Sequence, residues 1–363
     1  MVSAVGDGRG ADEAGPGATS SPLRGPLPAV PSPTPSPPLS PTPSATTSPS
    51  VKAGGTRTGP APSASGNGRK RTAAPASARL HLHPGARVLD RVRAHPDDPR
   101  RAVIASRIAG RPAAVWFADH SPDTVTARVR AVVSAGAVQG RVTVLVPYAI
   151  PDRDCGGHSQ GGAPDPDAYD DWIDRFAAGL GTGEVIVVLE PDSIAQPACL
   201  SAGERADRFA SPARAGRVLK DADPGARVYF DAGHSGRNAP AEQAGRLRRA
   251  GAASAASSDG VFSNVSDFRA TADEVAHVRA VLDALGGPPG LGAVIDTSRN
   301  GNGAPAGGEW CDPAGRRLGR APALGTGEPG IDAHPWVKLP GESDGCTGAP
   351  GTFTPSYAYE LAR

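Results

Sequence analysis

The segment Glu184-Val-Ile-Val-Val-Leu-Glu190-Pro-Asp192-Ser193 joins an unbroken apolar run to two carboxylates at a proline turn. A run of branched aliphatic residues predicts a β-strand that is buried on both faces, as the strands of parallel sheets are. In folds built on such sheets, the working side chains lie at the carboxyl ends of the strands. The segment therefore predicts a parallel sheet with acidic groups at its functional edge.

Similar apolar runs recur along the chain, with helical spacing between them, which is typical of repeated βα units. The seven runs predict a parallel β/α barrel of seven strands, although an open doubly wound sheet would give a similar pattern. The predicted strands are Ala113–Phe117, Val142–Tyr148, Glu184–Glu190, Arg227–Asp231, Gly260–Asn264, Gly292–Asp296 and Ala333–Lys338. The predicted helices are Pro122–Ser134, Ala168–Leu180, Glu204–Lys220, Ala241–Ala255 and Asp267–Leu285.

Residues 1–79 differ from the rest in composition, since Pro, Ser, Thr, Gly and Ala dominate and no aromatic residue occurs. Such a segment cannot bury enough apolar surface to offset the entropy of ordering the chain. The sequence predicts a disordered linker over residues 1–79 and one folded domain over residues 80–363.

The charges are balanced, with 38 Lys and Arg against 37 Asp and Glu, which argues against a nucleic-acid partner. No apolar run is long enough for a membrane span, and the given N-terminus has no apolar leader. Pro/Ser/Thr-rich linkers are nevertheless typical of exported proteins, so we expect a secreted monomer whose leader is missing here. His81, His83 and His158 show no metal spacing, and we expect neither a metal nor a cofactor.

The four cysteines are widely spaced and adjoin loops rich in Gly and Pro. They fit either buried thiols of a reduced compartment or two disulfides of an exported protein, and the loop positions favour disulfides. Two of the cysteines directly follow candidate site residues, so bridges would hold the loops of the site. The residues are Cys155, Cys199, Cys311 and Cys346.

Aspartates follow several of the predicted strands, namely Asp154, Asp192, Asp231 and Asp344. Each alone could be an ordinary turn former. Together at one rim they favour acid–base chemistry, because like charges at close range separate the pKa values of carboxyl groups. Hydrolysis of a glycosidic bond needs such a pair, and Trp116 and Trp310 could supply flat faces for sugar rings if they do not lie in the core.

Short motifs follow one another in a specific order over residues 80–363: Tyr148-Ala-Ile-Pro-Asp-Arg-Asp-Cys155, Glu190-Pro-Asp-Ser193, Asp231-Ala-Gly-His234, Asn264-Val-Ser266, Asp296-Thr-Ser-Arg-Asn-Gly301, Trp310-Cys311 and Trp336-Val-Lys-Leu-Pro-Gly-Glu-Ser-Asp-Gly-Cys346. In this order they resemble the glycoside hydrolase family 6 cellulases. The resemblance implies a distorted seven-stranded parallel β/α barrel that hydrolyses β-1,4-glucan with inversion at the anomeric carbon. It also implies two disulfides, Cys155 with Cys199 and Cys311 with Cys346.

The same resemblance implies a role for each matching residue. Asp192 matches the general acid, and Asp154 matches the aspartate that raises the pKa of the acid and helps to organise the water. Asp344 matches the proposed base. Asp231 matches a carboxylate of the sugar-binding cleft, and Tyr148 a residue that presses on the distorted ring. The remaining implied sugar contacts are Trp116, Ser159, His234, Asn264, Trp310, Lys338 and Glu342.

The short stretch between Trp310 and Lys338 favours an open cleft and endo action, with an exo-acting cellobiohydrolase of the same family as the alternative. One residue departs from the family pattern, because Arg237 stands where the family usually has a tryptophan that stacks a sugar on the leaving-group side. An arginine stacks less well, so a glucan-binding protein without catalysis and a hydrolase of another polysaccharide stay open as alternatives.

Overall fold

The computed structural model describes residues 79–363. The predicted linker over residues 1–79 lies outside this range except for its last residue, so the disorder and the domain boundary stay predictions. Within residues 79–363, none of the helices combines the length and the apolar character that a membrane span requires.

Nine strands form one sheet, which curves into a nearly closed barrel: β1 (Arg79–Leu80), β2 (Val115–Phe117), β3 (Arg141–Pro147), β4 (Val185–Leu189), β5 (Ala226–Asp231), β6 (Gly260–Ser263), β7 (Gly292–Ile295), β8 (Ala323–Leu324) and β9 (Ile331–His334). The strand order is β1-β3-β4-β5-β6-β7-β9-β8. Strand β1 pairs with the amino end of β3 and strand β2 with its carboxyl end. All of these pairings are parallel except that of β8 with β9.

The predicted parallel α/β barrel is confirmed, with a small difference in the number of strands. Strands β2 to β7 and β9 correspond to the predicted runs, whereas β1 and β8 were missed because two residues carry no periodicity. The last predicted strand, Ala333–Lys338, is observed at Ile331–His334, so it begins two residues and ends four residues earlier than predicted. It ends there because Pro335 has no amide hydrogen for the ladder.

The helices are α1 (Arg87–Ala94), α2 (Arg101–Ile104), α3 (Pro122–Val138), α4 (Pro166–Ala177), α5 (Ala202–Ala222), α6 (Pro240–Arg249), α7 (Thr271–Leu285) and α8 (Pro355–Ala362). Local signals set several of their starts. Asp165 caps α4 by accepting a hydrogen bond from the Ala168 amide, and Ser201 and Glu204 form a capping box on α5. Helix α7 begins later than predicted, because residues 267–270 belong to the loop that precedes it.

Strand β4 divides its side chains between two apolar cores. Val185, Val187 and Leu189 pack among the helices outside the barrel, and Ile186 and Val188 pack inside it. Burial of one such side chain contributes about 1.5–3 kcal/mol. Both faces of the strand are therefore apolar, and the acidic residues Glu190 and Asp192 lie beyond its carboxyl end.

Unusual backbone conformations concentrate in the loops beyond the carboxyl ends of the strands. Eight non-glycine residues of the described chain have positive φ, and all follow β3, β4, β6 or β7. Asp and Asn predominate among them, since their short polar side chains tolerate this region best. Such conformations persist only where the surroundings enforce them, and they cluster at functional sites. The residues are Asp152, Asp154, Cys155, Glu190, Asp192, Asn264, Ser266 and Asp312.

Candidate active site

A cleft of about 1220 Å³ lies at the carboxyl ends of the strands. It brings together nearly all of the side chains that the sequence predicted for the site, from loops far apart in the chain. Asn264 alone among them does not line it. The predicted residues that do are Trp116, Tyr148, Asp154, Ser159, Asp192, Asp231, His234, Trp310, Lys338, Glu342 and Asp344.

Asp192 lies half-buried in the turn after β4, where its Oδ1 accepts a hydrogen bond of 2.8 Å from the Gln196 side chain. Burial and the negative charge of Asp231 raise the pKa of Asp192 to about 6, against the opposing charge of Arg237. Asp154 acts in the same direction as Asp231 but less strongly. The carboxyl group is therefore protonated in mildly acidic solution, as a general acid must be.

Asp231 ends β5 and ties the loop of Asp192 to the sheet. Its Oδ2 accepts hydrogen bonds from the amides of Ile194 at 3.1 Å and Ala195 at 2.8 Å, and its Oδ1 accepts one from Gly233 at 2.8 Å. Burial raises the pKa of this carboxyl group, while the amide donors favour its charged form. Asp231 thus fixes the backbone behind Asp192 and lies close enough for its charge to raise the pKa of that acid.

Asp154 lies in a short helical turn after β3, and its Oδ2 accepts a hydrogen bond of 2.8 Å from the Ser159 amide. The Cys155–Cys199 disulfide, with a Cα–Cα distance of 5.7 Å, joins this loop to the segment that follows Asp192. The predicted pairing of these cysteines is present, and it holds two of the candidate catalytic loops together.

Tyr148 is buried at the end of β3, with its ring edge-on to Trp116 at 5.2 Å and under the Arg153 guanidinium at 4.7 Å. Burial and the charge of Asp192 raise the pKa of Tyr148 well above its usual value, so the phenol keeps its proton. Glu190, for which no role was predicted, accepts hydrogen bonds from the amides of Ala149 at 2.9 Å and Ile150 at 3.0 Å. It connects the ends of β3 and β4.

Asp344 is held between two cations. Arg299 donates from Nη1 to Oδ2 at 2.7 Å and from Nη2 to Oδ1 at 3.0 Å, and the Lys338 Nζ lies 2.9 Å from Oδ1. The amide of Asp312 donates to Oδ2 at 3.1 Å. Oδ2 therefore accepts two hydrogen bonds, and Oδ1 accepts one beside the Lys338 ammonium. These contacts fix the position of the carboxylate and neutralise its charge.

Asp312 is a site residue that sequence reasoning missed. It follows Cys311, whose disulfide with Cys346 has a Cα–Cα distance of 5.8 Å, as predicted. Its side chain accepts hydrogen bonds from the amides of Asp344 at 2.6 Å and Thr347 at 2.8 Å, and from the Ser343 hydroxyl. Burial opposes ionisation, yet these donors outweigh it and hold the pKa of Asp312 well below its usual range. Asp312 and Asp344 thus bind each other's backbone.

His234 and Asn264 differ in their relation to the cleft. The Nδ1 of His234 accepts a hydrogen bond of 3.1 Å from the Gly236 amide, so the proton lies on Nε2, which is 3.1 Å from the Asp267 carboxylate. Burial lowers the pKa of His234 to about 4, and the ring is neutral. Asn264 is buried below the cleft and donates to the Asp296 carbonyl at 2.8 Å. Its contacts are with the backbone of neighbouring loops.

The remaining predicted contacts lie at the cleft surface. Burial raises the pKa of Glu342 to about 7, although the positive charges of Lys338 and Arg87 oppose this. Trp310 is 53% exposed, with its ring edge near His158 at 5.4 Å. An exposed indole beside carboxyl groups suits the stacking of a sugar ring.

No cluster of three His, Cys, Asp or Glu side chains within residues 79–363 could hold a metal ion. The site offers a carboxyl group with a raised pKa, further carboxyl groups around it and aromatic faces in one open cleft. This combination is suited to cleavage of glycosidic bonds by general acid catalysis. Fold and site together define the class as a glycoside hydrolase built on an α/β barrel.

A family model described as "Glycosyl hydrolases family 6" matches residues 79–359. The chain belongs to this family. It is 52% identical to Endoglucanase 1 of Streptomyces sp. (strain KSM-9) over 270 residues, which cover 74% of each chain. It is 48% identical to Endoglucanase A of Thermobispora bispora over 283 residues, which cover 78% of this chain and 61% of the relative.

A solved structure is also similar, that of the endoglucanase Cel6 from Mycobacterium tuberculosis in complex with methyl-cellobiosyl-4-deoxy-4-thio-β-D-cellobioside. The TM-score is 0.72 at 35% sequence identity, and the match covers 79% of this chain and 97% of the other.

Proposed function

We propose that this chain hydrolyses β-1,4-glucosidic bonds within glucan chains, with inversion at the anomeric carbon and with Asp192 as the general acid. The protein is a glycoside hydrolase by its family, and its relatives above 40% identity are named endoglucanases, which makes exo action the less supported alternative. The observation that carries the role of Asp192 is a carboxyl group whose pKa is raised to about 6 inside the cleft.

In the proposed reaction, Asp192 gives its proton to the departing glycosidic oxygen while water attacks the anomeric carbon from the opposite face. Tyr148 presses on the sugar ring whose anomeric carbon is attacked, and Trp116 and Trp310 stack against the neighbouring sugars. Asp154 raises the pKa of the acid and orients the water. The charge that develops on the ring is stabilised by the carboxylates around it.

Asp344 is the proposed base. Because its oxygens already accept three hydrogen bonds and lie beside the Lys338 ammonium, it takes up the proton by displacing a donor or through a bridging water. Among the described residues, the side chain of Asp154 accepts one hydrogen bond, from the Ser159 amide, and its freer oxygens make it the second candidate.

Reducing-sugar release from a soluble β-glucan tests the acid. Asp192→Asn should lower kcat by roughly 10²–10⁴-fold, the usual contribution of a general acid, whereas equal activity in wild type and variant would refute the assignment.

Proton NMR of fresh product should show the α-anomer first, and initial release of the β-anomer would exclude inversion. Viscosity should fall faster than soluble sugar appears, while cellobiose alone from the outset would contradict endo action.

Azide distinguishes the two candidate bases, because it attacks without losing a proton. It should restore turnover to Asp344→Asn and yield an α-glycosyl azide. Rescue of Asp154→Asn alone would transfer the role of base to Asp154.

We further propose that the protein is exported and acts as a monomer. Two disulfides favour an oxidising compartment. The exposed large hydrophobic side chains of the described chain are Val138 and Trp310, and the second of them belongs to the cleft. Light scattering that gave the mass of a dimer at micromolar concentration would contradict the monomer.

A further inference from the structure

Arg237 lies in the wall of the cleft, on the loop between β5 and α6. Its side chain is exposed, and its aliphatic part folds back over the backbone of Gly233, where an added Cβ would lie 3.5 Å from the Cδ of Arg237. Its positive charge lowers the pKa of both Asp192 and Asp231. The guanidinium is therefore close to the proposed acid and open to a ligand in the cleft.

Two other cations of the cleft wall are paired with carboxylates. Arg128 pairs with Asp119, and Lys338 pairs with Asp344. Arg237, in contrast, forms none of the ion pairs within residues 79–363. The nearby carboxylate of Asp267 pairs with His234 and Arg269 instead. Its Nε lies 3.4 Å from the Nε2 of His234, but that nitrogen carries the proton that faces Asp267. The planar donors of the Arg237 guanidinium are thus left for a partner outside the protein.

A second arginine adds positive charge at the same place. The guanidinium of Arg269 packs against the backbone of Gly236, where an added Cβ would lie 2.4 Å from its Cζ. Its Nε is 3.6 Å from Asp267, a carboxylate that it shares with the neutral His234. Arg269, which does not itself line the cleft, therefore adds a second guanidinium beside the loop of Arg237.

Neutral sugar hydroxyls gain little from a free guanidinium, whereas a carboxylate can accept two parallel, charge-assisted hydrogen bonds from it. The other carboxylates of the cleft repel an anionic chain, so such a chain needs a cation where its own charge lies. We propose that Arg237 forms a subsite for a carboxylate-bearing sugar, of the uronic acid type, on the leaving-group side of the scissile bond. The proposal rests on the proposed function, since the acid Asp192 defines that side.

The test compares kcat/KM for cello-oligosaccharides oxidised to carboxylates at C6 with kcat/KM for unmodified ones of equal length. Arg237→Gln should lower the ratio of the oxidised to the unmodified substrate by roughly tenfold, the range of a hydrogen bond to a charged group, and Arg237→Lys by less. Arg205→Gln, which removes an exposed charge on α5, should leave the ratio at the wild-type value. A lower folded fraction, or a changed pKa of Asp192, would alter kcat/KM equally for both substrates. The ratio is therefore unaffected by either.

Hydrolysis in ¹⁸O water locates the subsite, because water oxygen enters at the anomeric carbon of the glycone fragment. Carboxylated sugars should be enriched near the new non-reducing end of the unlabelled fragment, and Arg237→Gln should abolish this bias. An unchanged ratio in Arg237→Gln, or carboxylates spread evenly over both fragments in wild type, would overturn the subsite. Failure of the wild type to cleave the unmodified substrate would instead count against the proposed function itself.

Discussion

Two charged side chains act on Asp192 in opposite directions, and each can be removed alone. Asp231 raises the pKa of Asp192, and Arg237 lowers it. Because the acid works only while it is protonated, activity falls as pH rises through its pKa. The pKa of about 6 therefore predicts that the kcat/KM of the wild type begins to fall near pH 6. This alkaline side of the pH profile is called the upper limb below.

Asp231→Asn should therefore move the upper limb to lower pH, and Arg237→Gln should move it to higher pH. Profiles of kcat/KM with a neutral substrate measure both displacements, since they report the free enzyme. Moving the limb by one pH unit changes the rate above it by about tenfold, because the protonated fraction of the acid changes by that factor. If the upper limb moved in the same direction in both variants, the charges of Asp231 and Arg237 would not be what sets the pKa of the acid.

Glu342 shows what a cleft residue costs the fold. Its pKa is about 7 in the folded chain against an ordinary 4.5, so the folded state holds this proton more tightly than the unfolded state does. Stability is therefore lost as pH rises from about 4.5 through 7, where the folded chain must ionise a buried carboxyl group.

Glu342→Gln should remove this cost and raise the free energy of unfolding by about 1–3 kcal/mol more at pH 8 than at pH 5. Urea denaturation at the two pH values measures the difference. The exposed Glu184→Gln is the matched control and should show no pH-dependent gain. A gain of equal size at pH 5 and pH 8 would refute the buried ionisation.

At the scale of elements, two loops that carry Asp344 and Asp312 hold each other through reciprocal hydrogen bonds between side chain and backbone. Asp312→Ala should lower kcat by roughly 10- to 100-fold with a smaller change in KM, because misplacement of a reacting group affects the transition state most. Asp312→Asn, which keeps one carbonyl acceptor, should lose less. A lower melting temperature with unchanged kcat would limit Asp312 to a structural role.

The Cys155–Cys199 bridge spans 44 residues and joins the loops of Asp154 and Asp192. In the chain-entropy model, its removal costs about 4 kcal/mol. Cys155→Ala combined with Cys199→Ala should lower the urea midpoint accordingly and also lower kcat. The Cys311–Cys346 bridge, which spans 35 residues, provides a comparison of similar cost. Full stability after loss of the first bridge would contradict the entropic account.

At the scale of the whole molecule, the parallel barrel could be predicted because strand β4 is apolar on both faces, and the loop positions followed from where such runs end. Asp192 could be predicted as a site residue because it directly follows the end of this strand. Asp312 was not, because its function depends on a loop 32 residues further along the chain that only folding brings near. Asn264 matched a motif, yet its buried side chain bonds backbone carbonyls instead of lining the cleft.

The division of the chain near residue 79 is the remaining prediction at this scale. Residues 1–79 have a composition that cannot form a core, whereas the strands and helices of residues 79–363 enclose their own apolar cores. Limited proteolysis of the full chain should therefore yield a resistant fragment that begins close to Arg79 and ends at the C-terminus.

That fragment should keep the melting temperature of the full chain within about 2 °C, since loss of a segment that is predicted to be disordered should change the unfolding free energy little. Its kcat/KM on a soluble β-glucan should equal that of the full chain, because the residues of the described chain that line the cleft, from Leu82 to Phe353, all belong to the fragment. Mass spectrometry locates the cleavage, and calorimetry and the assay compare the two forms. Cleavage that begins inside residues 80–363 would place the start of the folded domain after residue 80. A fragment that melts well below the full chain would instead place part of the folded domain before residue 79.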